Sequence, residues 1–247
     1  MNDCLSLSLF HLVMMVALAH SLYLTPMSAP IDDLFILPAC TENLQIVQVD
    51  RDFLLINKPT RLLSVPGRHP QNRDSVISRL QVEYSSATIV HRLDFDTSGV
   101  MVIPLNKAAL SNISKQFQAR SVSKHYTAVV AGLMVQDEGI IDLPIAADTG
   151  PKYKICQQAG KPSVTEYQVL ARDEQACTTR VLLHPITGRS HQLRLHLQTI
   201  GHPILGCEFY GGEWASAANR LLLHATDLAF LHPHTTEPVF IDVAPPF

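Results

Sequence analysis

The chain has 247 residues, of which 47% are apolar and 17% charged, so it can bury a sizeable core and is expected to be globular. Its five cysteines are widely spaced and form no CxxC pair, which argues against a disulfide framework or a cysteine zinc site. A net charge of −3 argues against a protein that coats nucleic acid through bulk charge, although residues 51–126 carry a local excess of +6.

The first thirty residues form a hydrophobic extension that imitates a secretory signal. An apolar run from Leu5 to Ala19 ends in an Ala-Leu-Ala sequence that looks like a cleavage site. The run lacks a basic segment before it, His11 interrupts it, and about fifteen residues is short for a membrane span. A signal, a loosely packed extension and an early start codon, with Met27 as the true beginning, stay open as alternatives. We expect residues 1–30 to lie outside the core.

Strands dominate the chain from Leu44 onward. Residues 44–50 and 53–57 predict a hairpin around an Asp-Arg-Asp turn, and Lys58-Pro59 ends the second strand because proline cannot continue a ladder. Aliphatic and β-branched runs predict further strands at residues 88–93, 100–105, 126–133, 164–171, 178–184, 221–230 and 239–243.

Helices are fewer than strands and are not placed regularly between them. Helical spacing is mixed within residues 74–84 and clear over residues 107–120, where Leu110, Ile113 and Phe117 share one stripe. Ser190 is a candidate N-cap for a helix that extends to Ile200. Because no βαβ alternation is present, the pattern favours a mixed α+β sheet.

The stretch HRLDFDTSGV, residues 91–100, places two aspartates on a loop between two predicted strands. Paired carboxylates also occur in glycosidases and aspartic proteases. The protease interpretation fails, since Ser98 interrupts the first Asp-Thr-Gly sequence and Pro151 follows the second. Thr97, Ser98 and Gly99 are residue types that close a tight turn.

A second group of polar residues lies in HPITGRSHQLRLHLQTIGHPILG, residues 184–206. Its four histidines are spaced by seven, five and six residues, without the HExxH pattern, so we expect no metal site. Arg189 lies in a turn just before the predicted helix, a position from which a guanidinium can reach a carboxylate.

Four motifs together resemble those of the RluA-type pseudouridine synthases: INKPTRLLSVPGR, HRLDFDTSG, KHYTAVVAG and HPITGRSHQLRLHL. The resemblance extends from about Leu44 to the C-terminus with the motifs in family order. It implies a mainly antiparallel central sheet flanked by helices and loops, in one catalytic domain over residues 31–247 without an S4 domain. The Phe95-Asp96 pair is variable in the family, so Asp96 is expected to lie in the loop and outside the site.

By this resemblance Asp94 is the catalytic aspartate, which isomerises uridine to pseudouridine without a cofactor or metal. An ionised carboxylate can attack or deprotonate the sugar, or add to C6 of the ring, and can leave again. The resemblance assigns Arg189 as its ion-pair partner, which would hold the carboxylate in place and lower its pKa. Tyr126 is expected to lie against the uracil and to be a candidate for removing the C5 proton. Arg92 is expected to enter the RNA stack when the uridine leaves it.

RNA is the implied partner, with 23S rRNA and the tRNA anticodon stem-loop as the expected substrates and specificity for only one of them as the alternative. We expect a cytoplasmic monomer that needs no membrane and no protein partner. A non-catalytic RNA-binding protein and a secreted hydrolase that uses Asp96 are the two rival interpretations. The basic middle of the chain offers the phosphate contacts, through Arg61, Arg68, Arg73, Arg79, Arg92, Lys107, Lys115, Arg120 and Lys124.

Overall fold

The computed structural model describes residues 35–247, so the predictions for the N-terminal extension lie outside the described residues. Three α-helices are present in this part of the chain: α1 (Val76–Leu80), α2 (Lys107–Ala119) and α3 (Gln192–Thr199). The strands are β1 (Gln45–Val49), β2 (Phe53–Lys58), β3 (Ser98–Pro104), β4 (Ser123–Ala131), β5 (Glu138–Asp142), β6 (Ile145–Ala147), β7 (Tyr153–Ile155), β8 (Val164–Asp173), β9 (Thr178–Pro185), β10 (Leu223–Leu231) and β11 (Pro238–Asp242).

One large sheet carries most of the strands, in the order β1-β2-β3-β10-β4-β9-β8-β5, with β11 paired to β10. Strands β6 and β7 form a separate two-stranded ribbon. Among the strand pairs of residues 35–247, only β3 and β10 run parallel. The α+β fold with a mixed, mainly antiparallel sheet is therefore confirmed.

Both faces of the sheet are covered near β2 and β3. Successive residues of a strand face opposite sides, so Leu54 and Ile56 pack under α1 whereas Phe53 and Leu55 pack under α2. All four side chains are fully buried. A separate cluster on β4 and β9 packs against α3, and residues 36–247 form one compact unit.

The parallel contact between β3 and β10 depends on a glycine. Gly99 lies beside Ala225 with a φ of +121°, which L side chains rarely adopt. A Cβ atom at this position would lie 2.2 Å from the carbonyl oxygen of Ala225. Ser98 and Gly99 were predicted to close a turn but lie in β3, and the missing Cβ of Gly99 lets this strand pair with β10.

Several predicted elements are confirmed, including the β1–β2 hairpin, β3, α2 and the two C-terminal strands. The predicted strand at residues 88–93 is wrong. The side chain of His91 replaces a backbone hydrogen bond of the sheet, because its Nε2 accepts from Val102 N at 3.1 Å. Burial lowers the pKa of His91 to about 3, which keeps this nitrogen an acceptor.

The predicted N-cap of the last helix is also wrong. The cap of α3 is His191, in the left-handed conformation and without a side-chain capping bond. Strands β5, β6 and β7 were not predicted. Within the described residues, no helix has the length and apolar character needed to cross a membrane.

Candidate active site

The loop that carries Asp94 and the segment that leads into α3 face each other across a cavity of about 760 Å³. Tyr126 on β4 also lines this cavity, as do Arg92 and Arg189. The four residues predicted for the site are thus brought to one cavity from three separate parts of the chain.

The backbone of the Asp94 loop is held by the INKPTRLLS segment. Ser64 Oγ donates to Leu93 O at 2.8 Å and accepts from Leu93 N at 3.1 Å. Thr60 Oγ1 donates to Asp96 O at 2.8 Å. Because buried backbone groups need hydrogen-bond partners, these side chains fix the position of the loop on both sides of Asp94.

Lys58 is the most deeply buried of these anchors, with 0% of its surface exposed. Its Nζ donates to the carbonyl oxygens of Pro59, Leu62 and Phe95 at 2.9, 2.7 and 3.1 Å. Burial lowers the pKa of this amine to about 7, against the opposing charge of Asp94. Lys58 therefore joins β2 to the loop directly beside the aspartate.

Asp94 is paired with Arg194, and this corrects the prediction that Arg189 is its partner. Arg194 Nη1 lies 3.6 Å from Asp94 Oδ2, and His191 Nε2 lies 3.9 Å from the same oxygen. Arg189 instead donates from Nε to Pro162 O at 3.3 Å. The motif contains the arginine that contacts the carboxylate, but the prediction chose Arg189 where the structure places Arg194.

The hydrogen bonds of Gln192 explain why the two arginines separate. Its side chain accepts from Arg189 N at 3.0 Å and from Thr187 Oγ1 at 2.7 Å, and donates to Val164 O at 2.9 Å. The turn is thus fastened to the start of β8. Arg194 lies in the first turn of α3, whose residues 192–197 are all buried.

Arg194 is an unusual arginine because only 2% of its side chain is exposed. Its guanidinium packs over the rings of Phe209 and Tyr210, and Nε lies 3.3 Å from Cys207 Sγ. Nη2 is buried and has no hydrogen-bond partner among the described residues. A buried cation requires a compensating negative charge, and the carboxylate of Asp94 provides it.

Tyr126 forms part of the cavity wall and is half-buried. Burial raises the pKa of its phenol well above the ordinary value, and the negative charge of Asp94 raises it further. The phenol is therefore protonated at neutral pH, and its ring presents a flat apolar surface to the cavity.

Four cations line the cavity where solvent reaches it; we call them the outer cations: Arg92, Arg120, Lys124 and Arg189. Arg92 and Arg120 are exposed, and Lys124 donates to Pro185 O at 2.9 Å. The residues around the carboxylate form the inner cluster: Asp94, Tyr126, His191 and Arg194. Sequence reasoning identified two members of the inner cluster and missed His191 and Arg194, although both lie in the quoted SHQLR sequence.

Comparison with known proteins agrees with this geometry. The sequence matches the profile of the RNA pseudouridylate synthase family over residues 52–199. The chain belongs to this family. It is an RNA pseudouridine synthase, an isomerase, as the four sequence motifs implied. Family membership and the cavity point to the same part of the molecule, because the match contains the inner cluster.

Curated relatives cover most of the chain. The dual-specificity RNA pseudouridine synthase RluA of Yersinia pestis is 50% identical over 197 residues, which is 78% of this chain and 95% of that protein. RluA of Escherichia coli strain K12 is 49% identical over 195 residues, 77% of this chain and 88% of that protein.

Two solved human structures share the fold. RNA pseudouridylate synthase domain containing 1 superposes with a TM-score of 0.73 and 32% identity, over 85% of this chain and 86% of that chain. RNA pseudouridylate synthase domain containing 4 gives a TM-score of 0.66 and 26% identity, over 82% and 88%.

Proposed function

We propose that this pseudouridine synthase modifies uridines in structured loops of both 23S rRNA and the tRNA anticodon stem-loop, with Asp94 as its catalytic residue. The observation that carries this assignment is the carboxylate of Asp94, paired with the buried Arg194 and open to a cavity lined by cations. The relatives named dual-specificity enzymes support the choice of two RNA classes.

The reaction needs no redox partner and no added group. The bond from N1 of uracil to C1′ of ribose breaks, a bond from C5 to C1′ forms, and the C5 proton is lost while N1 gains one. Asp94 can serve as a nucleophile at C1′ or C6, or as a base toward the sugar, and a carboxylate can leave again afterwards. Arg194 places a buried cation beside the carboxylate and holds it in position for each of these routes.

Tyr126 provides the surface against which the uracil ring lies. Its raised pKa disfavours a phenolate while Asp94 is charged. To accept the C5 proton, Tyr126 must first pass its own phenol proton to solvent, while N1 of the uracil takes one up, so the number of protons is unchanged over the reaction.

The outer cations bind the RNA backbone, and Arg92 fills the space that the extruded uridine leaves. Extrusion of a base costs a few kcal/mol, and a planar guanidinium can stack on the exposed neighbouring bases. Specificity comes from the shape of the loop and its unstacked bases, because paired RNA hides its base edges in a deep groove. A loop fold shared by the two RNAs allows one site to accept both.

We further propose that residues 31–247 act as one catalytic domain and as a monomer in the cytoplasm, where both RNAs are available. The hydrophobic extension has no part in the chemistry.

The decisive experiment maps pseudouridines in 23S rRNA and tRNA from a strain that lacks this protein. We expect at least one site to be missing in each RNA, restored by the wild-type gene and not by Asp94→Asn. Loss of sites in one RNA class alone would reject dual specificity and keep the enzyme. Competition in vitro checks the shared site: an anticodon stem-loop should inhibit modification of the rRNA fragment, whereas independent binding contradicts it.

A further inference from the structure

His191 approaches the catalytic carboxylate, and the hydrogen bonds behind it fix which of its ring nitrogens carries a proton. Tyr153 N donates to Tyr210 Oη at 2.9 Å, since a backbone N–H can only donate. Tyr210 Oη lies 2.8 Å from His191 Nδ1. Burial raises the pKa of the Tyr210 phenol, so the hydroxyl keeps its proton at neutral pH. We assign this proton to the hydrogen bond with Nδ1, since Nδ1 is the ring nitrogen within hydrogen-bond distance of the hydroxyl.

An imidazole that accepts at Nδ1 and is neutral carries its proton on Nε2. Burial lowers the pKa of His191, which favours this neutral form. Nε2 is the nitrogen that lies 3.9 Å from Asp94 Oδ2. Nε2 therefore lies near the same carboxylate oxygen that Arg194 approaches at 3.6 Å, at an ion-pair distance rather than a hydrogen-bond distance.

The backbone of His191 is itself unusual. It adopts the left-handed conformation, with φ 56° and ψ 14°, at the cap of α3 and without a capping bond from its side chain. This conformation is unfavourable for a residue with a Cβ atom, and such outliers are frequent at functional sites. Here it turns the ring away from the helix, toward Tyr210 and Asp94.

We propose that His191 is a positioning residue that, as the neutral Nε2–H form set by Tyr210, holds Asp94 through Oδ2 together with Arg194. The ion-pair contacts of Asp94 within the described residues all use Oδ2, which leaves Oδ1 as the oxygen presented to the uridine. We expect both distances to shorten to hydrogen bonds when RNA binds, as they commonly do for catalytic groups. The role rests on the proposed function of Asp94.

Two substitutions of His191 distinguish the roles of its two ring nitrogens. Nε2 of glutamine is as many bonds from Cα as the imidazole Nε2, whereas the amide nitrogen of asparagine corresponds to Nδ1. Asparagine also tolerates the left-handed conformation well, so His191→Asn keeps the backbone and no longer reaches Asp94. Single-turnover release of tritium from C5-labelled tRNA and 23S rRNA transcripts measures the rate. We expect His191→Asn to lower the maximal rate about 10- to 100-fold, with RNA half-saturation unchanged within about twofold.

His191→Gln should react at least about fivefold faster than His191→Asn, because its amide restores an N–H donor to Asp94. Tyr210→Phe should lower the rate about 3- to 10-fold. Combined with His191→Asn it should add nothing, since Tyr210 acts through His191. Full activity of His191→Asn, equal rates for the two His191 variants, or additive effects in the double variant would each overturn the proposal.

A measurement without RNA decides the protonated nitrogen independently. The ¹⁵N spectrum of the labelled histidines, with His191→Asn used for assignment, should show a protonated Nε2 and an unprotonated Nδ1 at neutral pH. Tyr210→Phe should shift this signal toward a mixture of both neutral forms. A proton found on Nδ1 of the wild-type protein rejects the inference even if Asp94 proves essential. If the wild type forms no pseudouridine, the proposed function fails instead, and the spectrum still reports on His191.

Discussion

The inner cluster and the outer cations of the cavity are held in different ways. The guanidinium of Arg194 packs over the rings of Phe209 and Tyr210, and the His191 ring is hydrogen-bonded to Tyr210, so these groups have little freedom. Arg92 is exposed, and the side chain of Arg189 makes one hydrogen bond, to the carbonyl oxygen of Pro162. If the proposed roles hold, the protein fixes the geometry around the reacting carboxylate and leaves the RNA-binding cations free to adjust. Arg189 and Arg194 are only five residues apart in sequence and belong to opposite groups.

The largest expected effect comes from the carboxylate itself. Asp94→Asn keeps the shape of the side chain and removes its charge, so the rate should fall by about 10⁴-fold or more. RNA affinity should change less than about threefold, because the outer cations remain. Tritium release and filter binding measure the two quantities, and a variant that reacts at more than a tenth of the wild-type rate contradicts the assignment.

Replacing each of the two arginines in turn tests the comparison directly. Arg194→Met should lower the rate about 100-fold, since the carboxylate loses its cation. Arg194→Lys should recover little, because an ammonium cannot occupy the same stacked position. Arg189→Met is the matched control, with an expected loss of less than about fivefold. An equal loss in both methionine variants would mean that the pairing with Arg194 has no role in catalysis.

Substitution of Lys58, which anchors the loop beside the inner cluster, should change the stability of the protein. Lys58→Met leaves three buried carbonyl oxygens without a donor and should reduce the free energy of unfolding by about 3 kcal/mol. The folded pKa of about 7 lies below the ordinary value of 10.5, so unfolding takes up a proton between these values. Wild-type stability should therefore rise from about pH 7 to about pH 10 relative to the variant. Urea unfolding across this range measures it, and parallel pH profiles of the two proteins would contradict the lowered pKa.

The outer cations should affect binding and not the chemical step. Replacing Arg92, Arg120 or Lys124 singly by Gln should weaken RNA binding. The plot of log association constant against log salt concentration should become less steep by about 0.7 to 0.9 for each phosphate contact that is lost. The rate at saturating RNA should stay within about threefold for Arg120 and Lys124. Arg92 should show the larger effect if it replaces the extruded base. Unchanged salt slopes in all three variants would place the RNA elsewhere.

Asp96 should give the smallest effect, although it is only two residues from the catalytic aspartate. Thr60 binds its backbone carbonyl, and this bond is retained after substitution. Asp96→Asn should therefore react within about twofold of the wild type in the tritium assay. A large loss would support a paired-carboxylate mechanism.

The sequence was sufficient for the location of the site but not for its pairings. Runs such as Phe53 to Asn57 predicted strands correctly, because burial on both faces leaves a continuous apolar run. Residues 88–93 have a similar aliphatic and β-branched content, yet the His91 side chain substitutes for strand pairing there. A local sequence pattern shows that a segment can form a strand. Whether it does so depends on the residues that pack beside it in the folded protein.

The wrong prediction of Arg189 instead of Arg194 as the partner of Asp94 also arose because a local pattern does not show which residues lie beside it. A turn before a helix is a reasonable place for a catalytic guanidinium, and the motif alone offers both residues. The decision depends on which side of α3 faces the Asp94 loop, and on the buried Gln192 that fastens the turn to β8. These contacts join residues about 30 to 100 positions apart, and the periodicity within one segment does not predict them.

The close approach of Gly99 to Ala225 has a consequence for how the enzyme can be divided. Every residue that we place at the reacting carboxylate lies before position 200, yet the strand against which the loop rests begins at Leu223. A fragment ending before β10 would carry the full set of reacting groups without the surface that seats them. Activity should therefore be regained only by supplying the missing segment, as in a split enzyme whose halves are inert until they combine.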